Sequence, residues 1–212
     1  MGRGGVVPVD ARHPDPAVLD RAGRALEAGD VVAFPTDTLY GLAVDPRSSV
    51  AARRLFALKG RAAQVAVPLI AADMAQADLA VRMWTPLARR LAARFWPGPL
   101  SLVLEAAPSL DTAVLGGGTT VAIRVPAHPL ARALAATFTH PVTATSANRS
   151  GTPAAADASA VVAALGDGVA LVLDAGPTAA GPPSTIADAR GEQPRLLRKG
   201  AIAWDRLLES LA

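Results

Sequence analysis

The sequence contains no cysteine, and histidine occurs only at positions 13, 128 and 140. Without cysteine the chain cannot form disulfide bonds, use a thiol nucleophile or build a cysteine-ligated zinc site. The three histidines are scattered and lack the close spacing of histidine metal ligands. The sequence therefore predicts no metal held by its own side chains.

Long hydrophobic runs are also absent, since no apolar stretch approaches the roughly 18 residues that a membrane-spanning helix requires. The first residues, MGRGGVVPVDARHPDP, lack both the apolar core of a signal peptide and a myristoylation signal. We expect a soluble, cytoplasmic protein without membrane contact, and a flexible segment over residues 1–14.

Aromatic residues make up only 4% of the chain, and RNP and KH motifs are absent. Sequence-specific reading of RNA relies on such motifs and on aromatic stacking, so this function is disfavoured. The 21 Lys and Arg residues against 18 Asp and Glu permit acidic ligands without requiring nucleic acid. Only Lys59 and Lys199 are lysines, which suggests that these positions need a compact ammonium group.

Helix and strand patterns alternate along the chain without a break in composition, which predicts a single α/β domain. Amphipathic periodicity and capping residues predict helices over 16–28, 48–58, 86–95, 129–138, 157–165 and 204–211, and a short one after Asp73. Apolar runs predict strands over 31–34, 65–71, 100–104, 119–125, 141–145, 169–173, 185–187 and 195–197. Residues 203–212 are expected to form a C-terminal helix packed on the same domain.

Four polar segments stand at the ends of these elements: PTDT at 35–38, KGR at 59–61, SAN at 146–148 and PST at 183–185. An open sheet places its ligands in such loops, so the four segments could form one site. Hydroxyl groups facing Lys59 and Arg61 suit an anion such as a nucleotide phosphate. Arg124 and Arg198 add two further cations.

Each segment also has a purely structural interpretation. The PTDT segment can be a turn that caps a strand, and Lys59 with Arg61 can be a solvated pair favoured by the helix dipole. Ser146 with Asn148 can close a turn.

The same holds for the other polar residues. Ser184 can be an ordinary hydroxyl at a strand start, and Arg124 can be solvated or paired at the surface. Asp37 is interpreted as shaping its turn, because no second carboxylate or histidine lies near it in sequence. The glycines at 116–118 lack the spacing of a phosphate-binding loop and indicate a flexible hairpin loop.

Taken together, the motifs PTDTLYGL, KGR followed by PLI, TVAIRVPAHP, TSANRSGTP, PSTIAD and LLRKGAI resemble the YrdC/Sua5 family of L-threonylcarbamoyladenylate synthases. The resemblance extends over residues 20–202. It implies a YrdC-like domain over 15–202, built on a twisted sheet of parallel and antiparallel strands flanked by helices, with a large basic cleft. It corresponds to the short form of the family, without the second domain of the longer Sua5 proteins.

The resemblance implies a nucleotidyltransferase that makes threonylcarbamoyl-AMP and pyrophosphate from L-threonine, bicarbonate and ATP. The product serves the N6-threonylcarbamoyladenosine modification of tRNAs that read ANN codons. Mg²⁺ is implied as a companion of ATP, held mostly by phosphates and water. The implied macromolecular partners are tRNA itself and a tRNA threonylcarbamoyltransferase complex that receives the product.

The resemblance also implies roles for individual residues of this sequence. The catalytic pair is Lys59 and Arg61, which would neutralise bicarbonate and the nucleotide phosphates. The residues implied for threonine are Thr38, Arg124, Ser184 and the backbone of Ala144, and those implied for the nucleotide are Lys59, Arg61, Thr120, Ser146, Asn148 and Arg198.

Some positions depart from the family pattern. Ala62 stands where the family commonly has proline, Val65 and Val67 fall in a loop that is often polar, and Ala154 replaces an expected polar contact. These departures bear on ATP affinity rather than on reaction type.

A non-catalytic module that binds tRNA or double-stranded RNA in the same cleft stays open as the alternative function. A larger carbamoyl-transfer relative of the hydrogenase-maturation type is disfavoured, because such proteins carry cysteine zinc motifs.

Overall fold

The computed structural model describes residues 5–60, 65–179 and 181–211. None of the helices in these ranges is both long enough and apolar enough to cross a membrane. The helices are α1 (Pro16–Glu27), α2 (Ser49–Lys59), α3 (Met74–Ala77), α4 (Pro86–Phe95), α5 (Pro129–Phe138), α6 (Ala158–Leu165) and α7 (Trp204–Glu209). The strands are β1 (Gly5–Pro8), β2 (Val32–Pro35), β3 (Tyr40–Ala43), β4 (Leu69–Ile70), β5 (Leu100–Glu105), β6 (Thr120–Arg124), β7 (Val142–Thr143), β8 (Thr145–Ser146), β9 (Leu171–Asp174), β10 (Thr185–Asp188) and β11 (Arg195–Arg198).

Local chemistry sets the helix starts. The side chains of Asp15, Ser48, Asp73, Thr85 and Asp157 each accept a hydrogen bond from a backbone N–H in the first turn that follows. Such caps satisfy donors that the helix itself leaves unpaired. These short-range signals explain why the helix starts predicted from the sequence agree closely with the structure.

The strands divide between two mixed sheets. One has the order β1-β9-β2-β3-β8 and the other the order β11-β10-β5-β6-β4-β7. Parallel pairs such as β5 with β10 occur beside antiparallel pairs such as β5 with β6. The predicted α/β class, the single domain and the mixed sheet with flanking helices are thus confirmed, with two sheets in place of one.

The two sheets meet at Ala144. The predicted strand 141–145 is split there: β7 pairs with β4 in one sheet, and β8 pairs with β3 in the other. Between them the Ala144 N–H donates to the Pro68 carbonyl at 2.8 Å. The chain therefore crosses from sheet to sheet beside the ends of several strands.

Apolar side chains cover both sheets. α1 and α5 pack with β2 and β9 around Phe34, Leu26 and Leu134, all fully buried. A larger cluster of buried side chains, including Tyr40, Leu55 and Leu102, fills the rest of the interior. This burial holds the polar loops at fixed positions.

Two predictions at the level of elements are corrected, and one strand was not predicted. Residues 5–8, predicted to be part of a flexible segment, form an edge strand parallel to β9. The strand predicted over 65–71 is confined to Leu69–Ile70. No strand was predicted over residues 40–43, which form β3 and pair antiparallel with β2.

Candidate functional site

A cavity of about 750 Å³ lies where the two sheets meet. Its wall includes residues of β3, β4, β5, β6, β8, β10 and β11, so it is built from both sheets. The charged side chains among its described lining residues are Arg124 and Arg198, and most of the polar ones carry hydroxyl groups. The cavity is therefore suited to an anionic ligand with several hydrogen-bond acceptors.

Arg124 ends β6 and is buried, with 6% of its surface exposed. Its Nη1 donates to both carboxylate oxygens of Asp37, at 2.8 and 3.0 Å. Burial lowers the pKa of Arg124, and the charge of Asp37 acts in the opposite direction. Within the described residues, Nε and Nη2 make no hydrogen bond, so one edge of the guanidinium is left for a ligand in the cavity.

The PTDT segment forms a tight, internally bonded turn between β2 and β3. The Thr36 hydroxyl donates to the Leu39 carbonyl at 2.7 Å and lies 3.0 Å from the Thr38 hydroxyl. Both threonines are buried and line the cavity. The turn thus directs Asp37 toward Arg124, as well as shaping the chain.

Tyr40 begins β3 and fixes a second loop to it. Its hydroxyl donates to the Gly176 carbonyl at 2.9 Å and lies 3.4 Å from an Asp174 carboxylate oxygen. Burial, together with the nearby Asp174 charge, raises the pKa of Tyr40 to about 12. The phenol is therefore a neutral hydrogen-bonding group rather than a base at ordinary pH.

Ser184, just before β10, is held at the cavity wall by two neighbours. Its Oγ lies 2.9 Å from the Oγ of Ser101 and accepts a hydrogen bond from Arg198 Nη2 at 3.0 Å. Arg198 also donates to the Ser184 carbonyl from Nε and Nη2. Burial lowers the pKa of Arg198, and so does the positive charge of Arg124. An anion in the cavity would offset that repulsion.

Lys59 is the last residue of α2 and is 3% exposed. Its Nζ donates to the carbonyls of Ser146 and Asn148 and to Asn148 Oδ1. The next residue, Gly60, ends the helix in the left-handed region at φ 59°, which favours glycine. Lys59 thus anchors the 146–148 loop from behind and places its charge beside Ser146.

Asn148 closes the same loop. It accepts from the Ser146 hydroxyl at 2.6 Å and donates from Nδ2 to the Thr152 carbonyl at 2.6 Å. This agrees with the structural interpretation of the SAN segment as a closed turn. Ser146 nevertheless lines the cavity, whereas Asn148 supports it from outside the described lining.

The structure brings most of the predicted site residues together. The predicted residues that line the cavity are Thr38, Thr120, Arg124, Ala144, Ser146, Ser184 and Arg198. Lys59 and Asn148 lie directly behind them. Arg61 and the departure at Ala62 fall outside the described residues. The other departures, Val65, Val67 and Ala154, line the cavity with apolar surface. The roles of all these residues toward substrates stay predictions.

Two features of the site escaped sequence reasoning. Asp37 was interpreted only as shaping its turn, but it is the ion-pair partner of Arg124, 87 positions further along the chain. Ser101 was not singled out, although a serine within the apolar run LSLVL is a usable signal. In both cases the functional partner is distant in sequence, so spacing carried no information.

Several known proteins are similar to this chain. The Sua5/YciO/YrdC family model, described as telomere recombination, matches residues 24–200. A protein of Mycobacterium tuberculosis named putative threonylcarbamoyl-AMP synthase is 40% identical over 187 residues, covering 88% of this chain and 86% of that protein. The threonylcarbamoyl-AMP synthase of Vibrio cholerae is 39% identical over 184 residues, covering 86% and 97%.

A solved structure is similar over nearly the whole chain. Sua5 of P. abyssi complexed with L-threonine superposes with a TM-score of 0.92 at 32% identity. The match covers 98% of this chain and 61% of the Sua5 chain, so this chain spans less than two thirds of that protein's length. The described residues thus share their fold with a protein that binds L-threonine.

Proposed function

Because this chain belongs to the Sua5/YciO/YrdC family, we propose that it is a threonylcarbamoyl-AMP synthase. It acts as a nucleotidyltransferase that converts L-threonine, bicarbonate and ATP into threonylcarbamoyl-AMP and pyrophosphate. The observation that carries the proposal is the convergence of Arg124, Arg198 and several hydroxyl groups in one cavity between the two sheets. The names of the relatives and the threonine-bound Sua5 structure support it.

Threonine is proposed to bind at the Arg124 side. The unused Nε and Nη2 edge of Arg124 matches the two oxygens of the threonine carboxylate in a side-on pair, while Asp37 retains Nη1. Thr38 belongs to the turn that carries Asp37, and Thr38 and Ser184 both line the cavity. Hydroxyl groups at both places can meet the amine and side-chain hydroxyl of the substrate.

The nucleotide is proposed to bind along the side formed by Thr120, Ser146 and Arg198. Lys59, held behind Ser146, adds positive charge at the end of the cavity where phosphates would lie. Mg²⁺ would be held by the ATP phosphates and water, since the described lining residues include no carboxylate. Its charge would help to neutralise the triphosphate.

The reaction requires alignment and charge neutralisation more than acid–base chemistry. The threonine amine forms a bond to the carbon of bicarbonate, and water leaves to give a carbamate. A carbamate oxygen then attacks the α-phosphorus of ATP and pyrophosphate leaves. Fixed cations and hydroxyl groups stabilise the charge that moves onto pyrophosphate. The neutral Tyr40 hydroxyl and the absence of histidine from the described lining fit this scheme.

We further propose that the product passes to a tRNA threonylcarbamoyltransferase complex in the cytoplasm, where it supplies the N6-threonylcarbamoyladenosine of tRNA. Direct contact of this chain with tRNA belongs to the same proposal. It rests on the family relationship rather than on a described surface.

The test combines product analysis with one variant. The full chain is incubated with ATP, Mg²⁺, L-threonine and isotopically labelled bicarbonate, and products are identified by mass spectrometry. Labelled threonylcarbamoyl-AMP and pyrophosphate should form only when all three substrates are present. Pyrophosphate release that does not depend on added threonine would refute the proposal. RNA binding without any turnover would favour the non-catalytic alternative.

Substitution of Arg124 tests the threonine site itself, through the KM for threonine. Arg124→Gln removes a charge-assisted pair of about 1.5–3 kcal/mol, so the KM for threonine should rise tenfold or more, by the ~1.4 kcal/mol per decade rule. Arg24→Gln, at an exposed position on α1, is the matched control and should behave like the unmodified protein. An unchanged threonine KM in Arg124→Gln would remove Arg124 from the threonine site.

A further inference from the structure

A second cavity, of about 360 Å³, lies at the ends of β4 and β6, away from the candidate site. Arg124 lines the candidate site, whereas its neighbour Val125 lines this second cavity. Adjacent residues of an extended chain point to opposite sides, so the two cavities are separated by the end of β6. None of the site residues predicted from the sequence lies in its wall.

The wall of the second cavity is mainly apolar. Trp96 and Pro97 follow the end of α4, Met74 begins α3, and Val125 closes the inner side. Trp96 is fixed in place, because its indole N–H donates to the Leu100 carbonyl at 2.7 Å. A fixed aromatic wall of this kind can hold the apolar body of a small ligand.

Two guanidinium groups and one carboxylate supply the charge of this cavity. The Arg132 Nε is buried and has no hydrogen-bond partner among the described residues. Arg89 lies over the ring of Trp84, 5.7 Å from its centroid, and also lines the cavity. The carboxylate of Asp73 is already used, since it accepts from the Gln76 N–H at 2.8 Å as the cap of α3. Positive charge is therefore in excess.

A partly buried guanidinium without a counter-charge destabilises the folded protein. An anionic group in the cavity would balance the charge of Arg132, which forms no ion pair among the described residues. We infer that the second cavity binds a small organic anion, with its carboxylate at Arg132 and its apolar body against Trp96 and Met74. The volume is about half that of the candidate site, which favours a compact carboxylate over a nucleotide.

Three probes of the same shape and different charge test this inference. The full chain is titrated by calorimetry with 4-phenylbutyrate, 4-phenylbutanol and 4-phenylbutylamine. The carboxylate should bind saturably, and the alcohol and the amine should bind at least about tenfold more weakly, because neither carries a negative charge to pair with Arg132. Saturating L-threonine and ATP should leave the carboxylate affinity unchanged, because the two cavities are separate.

Three substitutions test whether 4-phenylbutyrate binds in the second cavity. Arg132→Gln should weaken 4-phenylbutyrate about tenfold. Arg94→Gln should leave it unchanged, since Arg94 is exposed on the same helix as Arg89 and does not line the cavity. Ala93→Phe, at an exposed lining position, should abolish binding by filling the space without altering charge. Circular dichroism and thermal unfolding verify that each variant is folded.

The inference would be overturned by any of three results. These are no saturable binding of the carboxylate, equal binding of the three probes, or equal affinities of Arg132→Gln and Arg94→Gln. Competition by threonine or ATP would place the probe in the candidate site and would also overturn it. None of these results depends on whether the chain makes threonylcarbamoyl-AMP, because no turnover is measured.

Discussion

The pair of Asp37 with Arg124 sets the orientation of the buried guanidinium in the cavity wall. A guanidinium that is almost fully buried would be strongly unfavourable without a counter-charge. Asp37 provides it through a single nitrogen, Nη1, and so leaves the other edge of the guanidinium in a defined orientation. Under the proposed function Asp37 would therefore be a positioning residue, which acts on threonine through Arg124.

This assignment predicts the behaviour of Asp37→Asn. The amide retains an acceptor oxygen but loses the charge, so Arg124 should be held less firmly and the threonine KM should rise by about tenfold, while kcat changes less. Steady-state kinetics with threonine as the varied substrate measures both values.

A second aspartate provides the control for this prediction. Asp45→Asn removes an Asp–Arg pair with Arg47 that does not line the cavity, and it should leave both constants unchanged. Equal threonine KM values for the two variants would contradict the positioning role of Asp37.

At the scale of elements, β10 and β11 carry the Ser184 side of the site. The two strands pair antiparallel, and the chain after β11 passes against the segment that precedes β10. A Cβ at Gly200 would collide with backbone atoms of Pro183, Ser184 and Thr185. The Ala201 N–H also donates to the Pro183 carbonyl at 2.9 Å. Gly200 thus permits the close approach that places Ser184 in the cavity.

Gly200→Ala should therefore disturb both stability and substrate binding. Overpacking of this kind typically costs about 1–3 kcal/mol, and the displaced Ser184 should raise the threonine KM. Thermal unfolding and steady-state kinetics measure the two effects. Gly181→Ala is the control, because a Cβ there meets no atom within 4 Å. An unchanged melting temperature and KM in Gly200→Ala would contradict the prediction. It would show that the backbone of residues 183–185 moves to accommodate the added methyl group.

At the scale of the whole molecule, His128 couples pH to stability. It precedes α5, and its Nδ1 is buried without a hydrogen-bond partner among the described residues. Burial lowers the pKa of His128 below its usual 6.5, and the charge of Asp37 acts in the opposite direction. The folded protein therefore favours the neutral ring more strongly than the unfolded chain does.

The sign of the pH effect follows from proton uptake. Below pH 6.5 the unfolded chain protonates this histidine first, so stability should fall as the pH decreases from 6.5 toward the folded pKa. His128→Gln removes this contribution and should show a shallower loss of melting temperature between neutral pH and about pH 5.5. His13→Gln, with an 87% exposed ring, is the control. Parallel pH curves for the two variants would contradict the prediction.

Much of the fold could be predicted because its signals are local. Ser48 and Asp73 cap the helices that follow them, and Pro129 stands at the first position of α5. These effects act within one helical turn, so a single sequence contains them. The polar segments of the site were likewise visible, since hydroxyl groups and cations interrupt otherwise apolar runs.

Tertiary structure alone decided which distant groups meet. The pairing of β1 with β9, the passage of residues 142–146 from one sheet to the other, and the contact of Ser101 with Ser184 all join parts of the chain that are far apart. The same applies to Asp37 and Arg124. The sequence by itself determined the chemical groups and their local conformation. Their mutual geometry depends on long-range burial and strand pairing, which leave no periodic trace in the sequence.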